Sequence, residues 1–239
     1  DAEWIDVADT CAWIPLDDTP VSQKIAVWKK SDQERMGQWL ESGENTAWAP
    51  EIIHLPLAGF HQAANAVTAY AVLTKIRNGQ EKISNCDIIN GLGKTFWPCR
   101  FEKLQDRPAI IADGAHNLDS IQKLIQTMNR YYGCRKIVCL FGASADKNCD
   151  EMIGEIAPFV DSFIVTRSIH PRAADPNELR SIAIAHGRQA DLAESLEASF
   201  DMIKKLPEDT VVVVTGSLFV AAGIRELLMK QNKNLTYFK

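Results

Sequence analysis

The sequence predicts a two-domain α/β protein whose second half is a doubly wound, mostly parallel sheet. The chain has 239 residues, more than the roughly 100–200 residues of a typical domain. In its second half, unbroken apolar strands alternate with helices, which is typical of a parallel sheet covered on both faces. The composition, 46% hydrophobic and 24% charged, is that of a globular chain that builds a core, and no apolar stretch approaches the roughly 20 residues of a membrane span.

The net charge and the cysteine positions argue against a nucleic-acid partner and a zinc site. The 26 Lys and Arg residues against 31 Asp and Glu residues leave a net charge of −5, and no basic run suggests a nucleic-acid partner. The six cysteines form no CxxC pair and no His/Cys spacing suits zinc, so we interpret the thiols as reduced and structural. Because no signal peptide is visible, we expect a cytoplasmic location, with a mitochondrial or plastid location as the open alternative. A start at Asp1 rather than Met predicts that the chain begins inside a longer protein.

The first half is the harder one to interpret. Residues 1–53 hold five of the six tryptophans among short apolar pieces, and we predict only weak structure there. Apolar residues at helical spacing predict a helix over 61–76. A shorter helix is predicted to begin after the N-cap Ser84, with Asp87 at the capping-box position, and to end at Gly91.

In the second half, strands and helices alternate along the chain. The domain boundary is predicted between Trp97 and Arg107, at residue 103, because two prolines bracket a charged stretch there. Asp175 and Pro176 supply an N-cap and a first-turn proline for one helix. The predicted strands are 109–112, 137–141, 162–166 and 210–215, and the predicted helices are 117–132, 149–157, 176–186, 192–204 and 218–230.

The strongest candidate site is the segment Asp113-Gly-Ala-His-Asn117, where a predicted parallel strand ends and a helix begins. Open α/β sheets bind ligands in the crevice at this edge. Gly114 allows a sharp turn, Asp113 places a carboxylate at the strand end, and His116 and Asn117 add donors beside helix N–H groups that attract anions. The alternative is a plain turn with Asn117 as helix cap and Asp113 in a structural hydrogen bond.

Two further candidates lie upstream. Arg100, in the linker segment between the domains, is able to reach a phosphate group in a bidentate manner, although an arginine there is usually a surface ion pair. On the helix over 61–76, Asn65 lies one turn from His61, so both side chains could face one crevice. The alternative for this pair is an ordinary polar helix start.

Other motifs are weaker or misleading. The pairs Asp146-Lys147 and His170-Pro-Arg172 follow predicted strands, so a parallel sheet would place them on the same edge as Asp113. The segment Gly91-Leu-Gly-Lys-Thr95 ends like a phosphate-binding P-loop but has Ile88 where that loop requires glycine. No GxGxxG follows a strand, so a standard dinucleotide site is not expected.

Taken together, the chain resembles the folylpolyglutamate synthase and dihydrofolate synthase family, a branch of the Mur ligase superfamily. The resemblance runs over about 54–225 and implies that 104–239 is the Rossmann-like C-terminal ligase domain and 1–103 the last part of the α/β central ATP-binding domain. The motifs that carry it, in the order of the family, are Leu55-Pro-Leu-Ala-Gly-Phe-His-Gln-Ala-Ala-Asn65-Ala, Trp97-Pro-Cys-Arg-Phe-Glu102, Asp113-Gly-Ala-His-Asn117, Asp146-Lys147 and Thr215-Gly-Ser-Leu218.

The resemblance implies an ATP-dependent amide ligase. ATP phosphorylates the carboxylate of a folate or dihydropteroate, and L-glutamate attacks the acyl phosphate, with Mg²⁺ as cofactor and a monomeric protein expected. By motif, Asn65 matches the contact of the family to the base side of ATP and Arg100 the contact to phosphate. Asp113 matches a contact to the ribose side or a bridging residue. His116 matches a residue that holds the incoming glutamate and Ser217 lines the same pocket, so His116 and Asp113 are the candidate catalytic residues.

Several departures limit what this chain is expected to do alone. The P-loop of the family, resembling GTNGKGS, its magnesium-binding Glu and His, and its carbamylated-lysine region all precede the matched portion and are not in this sequence. We therefore expect a fragment that is inactive by itself. Cys99 replaces a common glycine of the family, and Asn148 replaces a common Asp.

Two other interpretations of the sequence stay open. A ligase of peptidoglycan precursors would share the architecture but more often carries a DNPGTN-like or DYAHNP-like motif. A non-catalytic ligand-binding module would also explain the lack of a P-loop.

Overall fold

The computed structural model describes residues 6–42, 46–77 and 83–231. The chain divides into two compact units, Asp1–Phe96 and Trp97–Lys239. This division lies a few residues before the boundary predicted at residue 103. Among the described residues, no helix is both long and apolar enough to cross a membrane.

The first unit is built on a three-stranded antiparallel sheet with the order β1-β2-β3. Its elements are α1 (Val7–Thr10), β1 (Cys11–Asp18), β2 (Gln23–Lys29), α2 (Gln33–Ser42), β3 (Glu51–Leu55), α3 (Phe60–Arg77) and α4 (Asn85–Gly93).

Strand β2 is the centre of this unit and is covered on both faces. Ile25 and Val27 pack against α3 and α4, while Ala26 and Trp28 pack with α2. The prediction of only weak structure over 1–53 is therefore wrong. A strand that is buried on both faces has no polar alternation, so its short apolar run did not stand out from a loop.

Helix α4 begins as predicted and ends later. Ser84 is its N-cap, and Ser84 and Asp87 form the predicted capping box. The helix continues past Gly91 to Gly93, so the predicted end at Gly91 is wrong. The segment that resembles a P-loop thus begins inside a helix and does not form a phosphate-binding loop.

The second unit contains a six-stranded sheet with the order β4-β5-β9-β6-β7-β8, in which only β4 is antiparallel to its neighbour. The predicted α/β class with a mostly parallel sheet is confirmed. Its elements are β4 (Glu102–Asp106), β5 (Ala109–Ala112), α5 (Leu118–Tyr132), β6 (Ile137–Phe141), α6 (Cys149–Ile156), β7 (Ser162–Val165), α7 (Pro176–Ala185), β8 (Gln189–Leu192), α8 (Leu196–Ile203), β9 (Val211–Thr215) and α9 (Leu218–Gln231).

Two edge strands were not predicted. β4 carries charged residues and alternates in burial, and β8 is a four-residue strand at the other edge. The helix predicted over 192–204 begins later, at Leu196, because Leu192 is the last residue of β8. Edge strands are short and polar because they face water on one side, and this weakens their sequence signal.

The central strand β9 determines where the site forms. All five of its residues are buried, and it lies between β5 and β6 although it is last in sequence. Because β5, β9, β6 and β7 run parallel, their carboxyl ends share one edge of the sheet. The loops that follow these four strands therefore meet there.

Candidate functional site

Asp113 directly follows β5 and lies on this edge of the sheet. It is buried, with 8% of its surface exposed. Its Oδ2 accepts a hydrogen bond from the backbone N–H of Phe101 at 2.8 Å, and its Oδ1 accepts one from Ala115 at 2.9 Å. Burial raises the pKa of this carboxyl to about 6, against the lowering effect of the two N–H donors. The carboxylate thus holds two backbone segments together, and its contact with a ligand stays a prediction.

Arg100 lies in a tight turn that is tied to the Asp113 loop. The residues on either side of it have left-handed backbone, with φ of 57° at Cys99 and 48° at Phe101. The carbonyl of Cys99 accepts a hydrogen bond from Gly114 N–H at 2.8 Å. The guanidinium carbon of Arg100 lies 5.6 Å from the ring centroid of Trp97, and Arg100 is exposed.

The replacement of glycine by Cys99 can now be understood. Glycine adopts positive φ readily, whereas other residues rarely do. Here the Cys99 side chain is buried in the core, which compensates for the backbone conformation. Burial raises the pKa of its thiol to about 12, so the thiol stays protonated at neutral pH.

His116 and Asn117 complete the turn after β5. The Asn117 side chain accepts a hydrogen bond from Ser120 N–H at 2.9 Å and is the N-cap of α5, as expected for a helix cap. His116 is exposed, and its Nδ1 lies 2.9 Å from the carbonyl oxygen of Gly114. Since that carbonyl can only accept, Nδ1 must carry the proton. The Nε2 atom then has no hydrogen bond within the described part of the chain.

The loop after β9 packs directly on this turn. The N–H of Gly216 donates to the carbonyl of Ala115 at 3.0 Å. Ser217 is buried, and its Oγ accepts a hydrogen bond from Phe219 N–H at 3.2 Å, which leaves its hydroxyl proton available. A Cβ at Gly114 would lie 3.1 Å from Leu218, so the half-exposed Leu218 side chain covers that glycine.

The loops after β6 and β7 join each other at the same edge. Ala145 N–H donates to the carbonyl of Arg172 at 2.7 Å, and Ala174 N–H donates to Ala143 at 2.9 Å. The ring of His170 stacks on Phe219, with 4.5 Å between the centroids. The predicted gathering of these loops at one edge is therefore observed.

Side chains in these two loops play different parts. Asp146 and Lys147 form an exposed ion pair at 3.8 Å. Asn148 is the N-cap of α6 and accepts a hydrogen bond from Glu151 N–H at 3.2 Å, a role that Asp would also fill. Across the described ranges, no hydrogen bond or ion pair involves the guanidinium of Arg172.

Asn65 lies in the first unit, on α3. It is exposed, and its amide is 3.4 Å from Oε1 of Gln62, whose own amide is 3.1 Å from Nε2 of His61. Arg100, Asp113, His116 and Ser217 are brought together within the second unit. The role of Asn65 toward a nucleotide stays a prediction.

Sequence reasoning assigned no role to Glu102 and Arg225. Glu102 Oε2 accepts a hydrogen bond from Cys99 N–H at 2.9 Å, and Arg225 Nε lies 2.9 Å from the same oxygen. Glu102 ends the motif that begins at Trp97, which was the available signal. Arg225 is 123 positions away in the chain, so nothing local indicated it.

The described residues do not offer a metal site. Among residues 6–42, 46–77 and 83–231, no three His, Cys, Asp or Glu side chains are placed to hold a metal ion. The carboxylate of Asp113 is occupied by two N–H donors. Asp113 is therefore not placed to act as a metal ligand.

We expect the charge of Asp113 to make the second unit less stable as the pH rises. The folded-state pKa of about 6 exceeds the ordinary value of 3.8, so the folded state binds more protons than the unfolded state between these values. The free energy of unfolding should then fall by up to about 3 kcal/mol through this window. Urea unfolding of the wild type and Asp113→Asn from about pH 4 to 7 checks this. The stability difference should move in favour of the variant as the pH rises, and a constant difference contradicts the prediction.

Comparison with known proteins identifies the family of the second unit. Residues 99–218, half of the chain, match the family described as Mur ligase, glutamate ligase domain. The dihydrofolate synthase/folylpolyglutamate synthase of Mycobacterium tuberculosis is 29% identical over 196 residues, covering 73% of this chain and 40% of that protein. The folylpolyglutamate synthase of Lacticaseibacillus casei is 31% identical over 180 residues, covering 74% and 40%. The chain spans about two fifths of the length of these relatives.

Solved structures and a second branch of relatives agree with this. Mycobacterium tuberculosis folylpolyglutamate synthase complexed with ADP matches with a TM-score of 0.66 and 28% identity, covering 74% of this chain and 42% of that one. The bifunctional folylpolyglutamate synthase/dihydrofolate synthase of Yersinia pestis, complexed with AMPPNP and Mn ion, matches at 0.60 and 25%, covering 73% and 40%. The UDP-N-acetylmuramoyl-L-alanyl-D-glutamate--2,6-diaminopimelate ligase of Syntrophomonas wolfei is 32% identical over 146 residues, covering 59% and 28%. The chain belongs to the Mur ligase family and matches the carboxyl-terminal part of folylpolyglutamate and dihydrofolate synthases.

Proposed function

We propose that this chain supplies the nucleotide- and glutamate-binding part of an ATP-dependent ligase that joins L-glutamate to the carboxylate of a folate or dihydropteroate. The observation that carries the proposal is the meeting of the Arg100 turn, the Asp113 loop and the Ser217 loop at one edge of the sheet, joined by direct hydrogen bonds. These are the segments through which the sequence resembles the family. A monomeric state and a cytoplasmic location belong to the same proposal.

The proposed reaction has two steps. First, a substrate carboxylate oxygen takes the γ-phosphoryl group of ATP, and ADP leaves. Then the amino group of glutamate, having lost a proton, attacks the acyl carbon, and phosphate leaves as the amide forms. Both steps are accelerated by orientation and by neutralising charge on the phosphoryl oxygens and on the tetrahedral intermediate. ATP and glutamate are substrates, and no step depends on a metal ion held by these residues.

The residues of the site suit different parts of this reaction. Arg100 is exposed and carries a guanidinium that binds phosphate in a bidentate manner. Asp113 braces the turn of Arg100 and lies on the ribose side. His116 has Nε2 available to accept a hydrogen bond or a proton from the amine of glutamate, and the hydroxyl of Ser217 can donate to its carboxylate.

Arg172 is a further candidate for carboxylate binding. Its guanidinium has no partner among the described residues, and its backbone is fixed to the loop after β6 by a 2.7 Å hydrogen bond. A fixed, unpaired arginine on this edge suits the second carboxylate of glutamate.

A different amino-acid ligase of the Mur family is the second candidate. It is favoured by the similarity to the diaminopimelate ligase, which covers less of this chain than the folate relatives do. Both candidates share the acyl-phosphate chemistry and differ in the amine and the acid that are joined. The two are therefore distinguished by substrate.

The test of the proposal is a ligation assay on the polypeptide encoded by the intact gene, with the 239-residue chain assayed beside it. We expect ATP- and glutamate-dependent ligation of a folate or dihydropteroate by the intact product, and none by the shorter chain alone. Turnover with diaminopimelate and a muramoyl peptide instead would favour the second candidate. If the intact product neither ligates nor binds ADP, the proposed function is overturned, and a non-catalytic binding module is favoured instead.

We expect Arg100→Ala to lower kcat/KM of the intact ligase by about 100-fold, because a cation that faces developing phosphoryl charge is removed. The control is Lys230→Ala, which removes an exposed cation on α9 with 74% of its side chain accessible. Steady-state kinetics with varied ATP checks the prediction. Equal kcat/KM in the two variants would contradict the proposed contact between Arg100 and a phosphate group.

A further inference from the structure

The turn that carries Arg100 is conformationally unusual. Both of its neighbours, Cys99 and Phe101, have left-handed backbone with φ of 57° and 48°. Such conformations at non-glycine residues persist only where the surroundings hold them, and they concentrate at functional sites. Contacts from other parts of the second unit must therefore stabilise this backbone conformation.

Two carboxylates hold the turn, one on each side of Arg100. Glu102 Oε2 accepts the N–H of Cys99 at 2.9 Å, and Asp113 Oδ2 accepts the N–H of Phe101 at 2.8 Å. Hydrogen bonds from N–H groups to carboxylates are stronger than those to neutral acceptors. Each of the two residues with positive φ thus donates its backbone N–H to a different carboxylate, Cys99 to Glu102 and Phe101 to Asp113.

Glu102 is itself fixed by an arginine from a distant helix. Arg225 Nε, from α9, lies 3.0 Å from Oε1 and 2.9 Å from Oε2 of Glu102. The two side chains are 17% and 19% exposed, so water screens this pair less than a surface pair. The same helix begins just after Ser217, and it therefore connects the two loops of the site.

The arrangement leaves the charge of Arg100 available. Both nearby carboxylates bind backbone N–H groups, and Glu102 pairs with Arg225 instead of Arg100. Over the described ranges, the contact found for the Arg100 guanidinium is with the ring of Trp97. An exposed cation on a turn held by hydrogen bonds, whose neighbouring carboxylates already accept backbone N–H groups, is suited to bind an anion.

We propose that Glu102, fixed by Arg225, is a positioning residue that holds the Cys99–Phe101 turn so that Arg100 faces a phosphate group of the nucleotide. This rests on the proposed function. Glu102 contacts no reacting atom and acts through Arg100. Its loss should therefore matter only while Arg100 is present.

A double-mutant cycle on ADP affinity in the intact ligase tests the proposal. The variants are Glu102→Ala, Arg100→Ala and the double variant, measured by calorimetry. We expect Glu102→Ala to weaken ADP binding about ten-fold or more in the wild-type background, and less than about two-fold in the Arg100→Ala background. The same loss in both backgrounds would show a general structural role and overturn the proposal.

The matched control is Glu226→Ala. Glu226 directly follows Arg225 on α9. It forms an exposed ion pair with Lys230, with 3.7 Å between Oε2 and Nζ. We expect it to leave ADP affinity unchanged. A loss equal to that of Glu102→Ala would overturn the specific role of Glu102.

A second measurement reports the backbone order of the turn in the absence of any ligand. The ¹⁵N order parameter at Arg100 should fall from about 0.85 to below about 0.6 in Glu102→Ala, while those of β9 stay constant. In a Cys99→Gly background the effect of Glu102→Ala on ADP affinity should be smaller, because glycine accepts positive φ without support. An unchanged order parameter overturns the proposed brace.

The two measurements separate this proposal from the proposed function. If Arg100→Ala leaves ADP affinity unchanged, the proposed function fails at this turn. The order parameter still decides whether Glu102 holds the turn: a fall supports the brace, and no change overturns it.

Discussion

Gly216→Ala is expected to destabilise the second unit by about 2–5 kcal/mol, because the added methyl group has no space and the backbone is left-handed. Gly216 has a φ of 90°. A Cβ there would lie 2.7 Å from Cε2 of Phe141 and 2.8 Å from the carbonyl oxygen of Gly142. Overpacking in a core costs about 1–3 kcal/mol, and left-handed backbone at alanine adds about 1–2 kcal/mol. Urea unfolding of both proteins measures the difference.

Gly187→Ala is the matched control for this prediction. Gly187 also has positive φ, 77°, but apart from its chain neighbours no atom of the described residues lies within 4 Å of the position that a Cβ would occupy there. We therefore expect a loss of only about 1–2 kcal/mol, the cost of the backbone conformation alone. Equal losses in the two variants would mean that the contact with Phe141 relaxes freely. Since Gly216 precedes Ser217, which is proposed to contact glutamate, the Gly216 variant should also bind glutamate more weakly.

Asp113→Ala is expected to cost about 3 kcal/mol of stability and, if the proposed function holds, to abolish measurable ADP binding by the polypeptide encoded by the intact gene. The substitution leaves the buried N–H groups of Phe101 and Ala115 without acceptors. Each unsatisfied buried group costs about 1–3 kcal/mol, and part of this is offset because a buried charge is also removed. The Arg100 turn loses one of its two carboxylate partners. Urea unfolding and calorimetric ADP titration measure the two effects.

The control for Asp113→Ala is Asp106→Ala, at the end of the neighbouring strand β4. Asp106 forms an exposed ion pair with Lys103, and its side chain is 81% accessible. Exposed pairs contribute about 0–1 kcal/mol, so this variant should unfold almost like the wild type. A similar loss in both variants would contradict the assigned role of the Asp113 hydrogen bonds.

The elements of the second unit were largely predictable from local patterns. Strands β5 and β6 match the predicted ranges 109–112 and 137–141 residue for residue, and the predicted N-cap Asp175 is observed, as is Ser84 in the first unit. Buried parallel strands form short apolar runs between turn residues, and caps depend on residues three positions apart. Such signals are contained in a few consecutive residues, so a single sequence shows them.

The first unit and the edge strands were harder. β2 pairs with β1 and β3, and its two buried faces come from helices that follow later in the chain. The polar strand β4 is stabilised by pairing with β5. Strand pairing is non-local, so a short run with a weak pattern gains its conformation from partners that the local sequence does not contain.

The candidate site shows the same division between local and distant information. Asp113, His116, Arg100 and Ser217 stood out in the sequence because turn chemistry and motif order mark them. The shared edge of the Asp113, Asp146 and His170 loops followed from parallel strands, whereas the place of Arg100 beside Asp113 did not. The positive φ values at Cys99 and Phe101 and the pairing of Glu102 with Arg225 could not be read in advance. Those features depend on β9 lying between β5 and β6 and on α9 packing beside the turn, because a hydrogen bond between residues 123 positions apart exists only after the chain has folded.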